Sequence, residues 1–196
     1  IAFTINFSLI EPEKNAGQYL LMNRLLLKGT EKYSSEELSA VLDENAIDLF
    51  TEMKFDYLRF RFVALNEDFE FALSILSDII LNSTFEEFEK EREKFKGEIL
   101  AELDSAKTKV SDLFTKTIYK NHFYGHSCSK ILEEIDSVTI DDIKNSYKNI
   151  LINSRKTLSV VGDFDFEKVE DSLNKYLEFV PESIKSESLI EDLFAI

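Results

Sequence analysis

With 196 residues, 44% of them hydrophobic and 31% charged, the chain is long enough for one globular domain with a sizeable core, or for one large unit of a repeat. Five Gly and two Pro are too few for a turn-dense all-β fold. A formal charge of −15 excludes the basic face that a nucleic-acid binder presents; it fits the solvated helix faces of a soluble protein, or long-range attraction of basic peptides.

The alternation in Ile1-Ala-Phe-Thr-Ile-Asn-Phe-Ser-Leu9 predicts a strand. A helix follows over 16–27, ringed by Tyr19, Leu20, Leu21, Met22, Leu25, Leu26 and Leu27, the pattern of a helix buried on every side. Asn23 and Arg24 interrupt it and share a face with Leu20 at i, i+3 and i+4. A buried arginine requires a partner, because an unpaired buried charge is costly. Ser34-Ser-Glu-Glu37 is a capping box that opens a helix to Glu44, with Leu38, Val41 and Leu42 on its apolar side. A weaker strand over 47–54 precedes Tyr57–Ala64, where Leu58, Phe60, Phe62 and Ala64 alternate with Arg59 and Arg61; the short link predicts an antiparallel hairpin.

Residues 67–81 form an amphipathic helix on Phe69, Ala72, Leu73, Leu76, Ile79 and Ile80. A long charged helix then runs from Phe85 to Leu103 with the core stripe Phe88, Phe95, Ile99 and Leu103. Further helices are expected over 109–119, 129–135 and 140–151, the last capped by Thr139 with Asp142, and His122–His126 reads as a loop. Lys156–Gly162 is a strand, and 165–179 a helix using Phe166, Val169, Leu173, Tyr176 and Leu177. The order gives an α+β two-layer sandwich, a mainly antiparallel sheet with helices packed on one face. Residues 1–180 read as a single domain and 181–196 as an acidic linker or docking tail. No apolar run approaches the ~18 residues of a membrane span, and the lone Cys128 excludes an internal disulfide. With no starting Met and a first residue already in strand pattern, a fragment or processed product of a larger chain is expected; the compartment is not indicated.

Several landmarks occur in order: Gly17, Lys28-Gly29-Thr30, Glu91-Arg92, Glu98-Ile99, His122-Phe-Tyr-Gly125 and Val160-Val-Gly-Asp163. In this the chain resembles the insulinase/pitrilysin zinc metallopeptidases, which include the mitochondrial processing peptidases, over nearly its whole length. The resemblance implies an inverted H-x-x-E-H zinc motif between Gly17 and Lys28. Its three defining positions fall on Leu20, Asn23 and Arg24, and Glu98 stands where the downstream carboxylate ligand belongs. Leucine cannot ligate zinc, arginine repels it, and asparagine cannot act as a general base. The resemblance therefore implies a catalytically silent half or subunit. It would close a chamber against a homologous zinc-bearing half and help bind peptide substrate, with zinc only in that catalytic partner and no cofactor of its own. Substrate in such enzymes adds as a strand to an exposed sheet edge; the matching edge is Leu49-Phe50-Thr51, without the usual preceding glycines. Arg24 is expected to enter the vacated metal position and pair with Glu98, and with Glu91 one helix repeat away. The competing reading sends the Arg24 head group to solvent.

Other constellations compete. His122, His126 and Cys128 provide three zinc-compatible groups but no fourth ligand, so loop packing, with His122 capping a helix end, is the better reading. No Gly-x-Ser-x-Gly elbow supports a serine hydrolase. The row Glu91, Glu98 and Glu102 fits an acid/base pair in a cleft, or, Glu98 apart, a solvated helix face. The alternative functions are a non-enzymatic peptide- or protein-binding domain that kept the fold, and a peptidase subunit whose catalytic residues all come from its partner; an isolated copy with an uncovered apolar face would also favour homodimers.

Overall fold

Alternation of Phe3, Ile5 and Phe7 with Thr4, Asn6 and Ser8 builds β1 (Ala2–Ser8), one of two inner strands of the sheet in the computed structural model, which describes residues 1–120 and 122–177. β1 pairs antiparallel with β3 (Tyr57–Val63) on one side and β4 (Arg155–Val161) on the other; β2 (Asp48–Met53) completes a hairpin with β3, giving the order β2-β3-β1-β4. The register sets Phe3 opposite Phe62, Ile5 opposite Phe60 and Phe7 opposite Leu58, all fully buried. Because strand side chains alternate, the polar residues fall on the other face, where Arg59 Nε donates to Asn6 Oδ1 at 2.8 Å and its guanidinium also reaches Glu52 at 3.0 Å.

The helices are α1 (Gln18–Leu25), α2 (Ser35–Glu44), α3 (Phe69–Asn82), α4 (Phe88–Leu103), α5 (Ala106–Ile118), α6 (Cys128–Glu134), α7 (Ile140–Asn153) and α8 (Phe166–Leu177). α2 and α7 open on complete capping boxes, Ser34 with Glu37 and Thr139 with Asp142. α3 lays Phe69 against Phe3 and Phe62 of the sheet and buries the whole expected stripe. Each such phenylalanine is worth about 2–3 kcal/mol of transfer from water. α1 packs beside β2, α4 and α7. The architecture is α+β, an open antiparallel sheet with helices against one face, and no helix among the described residues is long and apolar enough to cross a membrane.

Four expectations need correction. The helix predicted from Phe85 begins at Phe88, because Phe85 (φ 57°) and Glu87 (φ 60°) adopt left-handed backbone and hold the entry turn out of the helix. Phe166, assigned to the apolar side of the last helix, is 70% exposed, since the core does not extend beneath its first turn. α1 is not enclosed on every side: Leu20 is 39% exposed. Among the α4 acids the burial is the reverse of that expected, with Glu91 buried and Glu98 exposed. The segment read as a loop at His122–His126 contains a 3-10 turn, Phe123–Gly125, and the tail 181–196 lies outside the described residues.

Candidate functional site

The site is built on α1. Its entry is Gly17, at φ +84°, with no room for a side chain: a Cβ there would stand 2.7 Å from Ile131 of α6. Only glycine adopts this backbone without strain while letting helix and neighbour approach so closely. Glu13 closes the helix end, accepting from the Gly17 N–H at 3.1 Å and the Tyr19 N–H at 2.8 Å, a carboxylate on the positive end of the helix dipole. His126 Nδ1 lies 2.6 Å from the same carboxylate. Burial, reinforced by the Glu13 and Glu11 charges, pushes the Tyr19 hydroxyl up to about 12.

One turn further on, Leu20, Asn23 and Arg24 present the shared face that their spacing requires. Arg24 Nη1 and Nη2 each donate to Glu98 of α4 at 2.9 Å, one to each carboxylate oxygen, the two-pronged geometry that makes arginine–carboxylate pairs strong and directional. Arg24 Nε stands 3.4 Å from Glu91, whose other oxygen lies 3.2 Å from Lys28 Nζ. The guanidinium carbon sits 5.3 Å over the Phe95 ring, within cation–π range. The Arg24 hydrogen bonds are the main cause that holds the Glu98 carboxyl below the usual glutamate value. Asn23 Oδ1 is buried with no hydrogen-bond partner among the described residues, while the Asn23 carbonyl accepts from Thr51 Oγ1 at 3.4 Å, which ties α1 to β2.

β2 stands at one end of the described sheet; Leu49 is buried beneath it, Thr51 is half-buried and Phe50 is 37% exposed on the other face, with the Arg61 guanidinium over its ring. The remaining candidates do not converge. His126 is engaged by Glu13, His122 Nδ1 accepts the Tyr124 N–H at 3.2 Å, and Cys128 Sγ is 4.0 Å from Glu102. Among the described residues no group of three His, Cys, Asp or Glu side chains could hold a metal ion. The donor set on α1 fits zinc poorly on chemistry alone: it is a hydrocarbon, an amide and a cation, and the cation already engages both neighbouring carboxylates, Glu91 and Glu98.

Three contributors went unrecognised in the sequence. Lys28, at i+4 from Arg24, shares its face, so this one was available from helical spacing. Phe95 was read only as core. The Glu13–His126 pair joins residues 113 positions apart, and no local pattern announces it.

With α1 set between the terminal strand β2 and the long charged helix α4, the α+β fold is that of a metallopeptidase-like domain. The family model described as insulinase, peptidase family M16, matches residues 5–134, and the chain belongs to that family. It is similar to the uncharacterized zinc protease YmxG of Bacillus subtilis, 27% identical over 82% of this chain and 39% of that protein. It is likewise similar to the human mitochondrial-processing peptidase subunit beta, 29% identical over 82% of this chain and 33% of the relative. The chain thus spans little more than a third of these curated relatives. Among solved structures it is similar to a peptidase M16 inactive domain from Pseudomonas fluorescens, with a TM-score of 0.75 and 17% identity over 95% of this chain and 48% of that one.

Proposed function

We propose that this chain is part of a non-catalytic half or subunit of an insulinase-family peptidase, which closes a chamber against a homologous zinc-bearing half and helps to bind peptide substrate. The observation that carries this reading is the Arg24–Glu98 fork at 2.9 Å, spanning two positions where an active family member places metal ligands. A guanidinium there satisfies the Glu98 carboxylate that zinc would otherwise need, and the buried Glu91 takes the charge of Arg24 and Lys28. Substitution by a bidentate cation keeps α1 and α4 joined without a metal. The similarity to an M16 inactive domain supports the same reading.

The test is metal content. After equilibration with zinc and dialysis, elemental analysis of the purified chain is expected to find far less than one ion per molecule; a stoichiometric ion would overturn the assignment. The triple variant Leu20→His, Asn23→Glu, Arg24→His restores the donors and is expected to retain zinc with Glu98 as the further ligand. If the triple variant folds and stays metal-free, the placement of the motif on α1 is wrong.

A further inference from the structure

We propose that the outward face of α5 is a docking surface for the acidic segment 178–196 of this same chain, which covers Val110, Leu113, Phe114 and Ile118. This surface lies on neither the α1 face nor the β2 edge.

An amphipathic helix on a globular domain ordinarily turns its apolar side inward. α5 does the reverse. Val110, Leu113, Phe114 and Ile118, at i, i+3, i+4 and i+8, form one ridge, and each is between 55% and 70% exposed. The half-buried side of the helix carries Thr108, Asp112, Thr115 and Tyr119 instead. Asp112 fastens that side to α6, accepting from the Ser129 N–H at 2.9 Å and from Ser129 Oγ at 2.7 Å. The Tyr119 ring stands edge-on to Tyr124, with centroids 5.8 Å apart. Rolling the ridge inward would break these contacts, so the apolar side is held outward. A contiguous ridge of this kind, unlike apolar residues scattered singly, marks a contact surface.

Charge selects the occupant. Residues 106–120 carry Lys107, Lys109, Lys116 and Lys120 against Asp112 alone, a basic patch on a chain of net charge −15. Helical spacing puts Lys109 and Lys116 along one flank of the ridge and Lys107 along the other. A second copy would bring the same lysines, so α5 set against α5 is repelled. The segment 178–196 lies outside the described residues, and its sequence has the opposite character: Glu178, Glu182, Glu187, Glu191 and Asp192 against Lys185. Its residues Leu189, Ile190, Leu193 and Phe194 are spaced i, i+1, i+4 and i+5, a repeat that gathers them on one side in helical geometry. Apolar residues then meet apolar residues, and acids meet lysines. Exposed ion pairs are individually weak, so the ridge supplies the affinity and the charges choose the partner.

The tether is long enough. α8 ends at Leu177, and residues 178–188 precede the apolar group. Extended, that stretch reaches about 36 Å, against a radius of gyration of about 16 Å for a folded domain of this size. Because the segment belongs to the same chain, its local concentration is in the millimolar range, and modest contacts suffice.

The test treats the full chain with a water-soluble carbodiimide, which joins a lysine amine to a carboxylate at ion-pair distance, and maps the monomer fraction by mass spectrometry. Links are expected between Lys109, Lys116 or Lys120 and the acids Glu187, Glu191 or Asp192. The double variant Leu113→Ser, Phe114→Ser, confined to exposed positions, is expected to lower their yield about tenfold. Leu193→Ser, in the segment itself, is expected to do the same. Phe166→Ser, equally exposed at the start of α8, is expected to leave the links unchanged. Links spread over lysines elsewhere with no preference for α5, or a yield that survives both ridge and segment variants, would overturn the docking. Links confined to dimers would overturn it as well and assign the ridge to a second copy.

Discussion

At its N-terminus α1 is held by close approach: Gly17 lets the backbone lie against Ile131, and the Glu13 carboxylate takes the first free N–H groups. At its other end it is held by charge, with Arg24 and Lys28 reaching across to Glu91 and Glu98 of α4. The first arrangement tolerates almost no change of volume, whereas the second tolerates changes of shape but not of charge balance. In the function proposed above, the second end holds positions where an active relative would carry its metal ligands. The contrast separates what fixes the position of α1 from what sets the charge on its face, because the packing at Gly17 lies about two turns from Arg24.

The largest expected effect falls on the packed end. Gly17→Val forces a β-branched side chain into left-handed backbone and into Ile131; a loss of about 3 kcal/mol or more in urea-unfolding free energy is expected. A loss below about 1 kcal/mol would mean that the helix entry relaxes easily and that the contrast between the ends is false. At the charged end, Arg24→Met keeps the stem over Phe95 but leaves the buried Glu91 to Lys28 alone, and a loss of about 2 kcal/mol is expected. Adding Glu91→Gln to that variant removes the stranded charge and should recover part of the loss; a double variant less stable than Arg24→Met would show that packing, not charge, holds this end too.

The legible parts of the chain are those in which one segment decides its own fate. The Leu58, Phe60, Phe62 alternation and the two capping boxes could be read directly, because strand pleat and helix caps are local. The start of α4 was not legible, since the left-handed turn at Phe85 and Glu87 accompanies packing of the Phe85 ring on Tyr147 of α7, 62 residues later. Nor does the sequence say which α4 carboxylate is buried: Glu91 and Glu98 lie two turns apart on nearly the same face, and the structure distinguishes them by bringing both Arg24 and Lys28 to Glu91. Phe166 misleads for a related reason, as helical spacing marks an apolar side without saying how far the core beneath it extends.

The smallest effect is the most specific to the charged end. Glu98 is exposed, and hydrogen bonds from Arg24 depress its pKa below 4.5, so the folded state holds its proton less tightly than the unfolded chain does. Stability from this pair is therefore fully present above the ordinary glutamate value and is lost as the pH falls through the depressed one. Glu98→Gln keeps the shape and removes the charge. Its urea midpoint should lie slightly below that of the unmodified chain at neutral pH, and the two should converge as acidification passes through the depressed Glu98 value. A gap that persisted unchanged into acid would mean that the fork acts through hydrogen-bond geometry alone, and the α1–α4 contact would then be a packed joint like the one at Gly17.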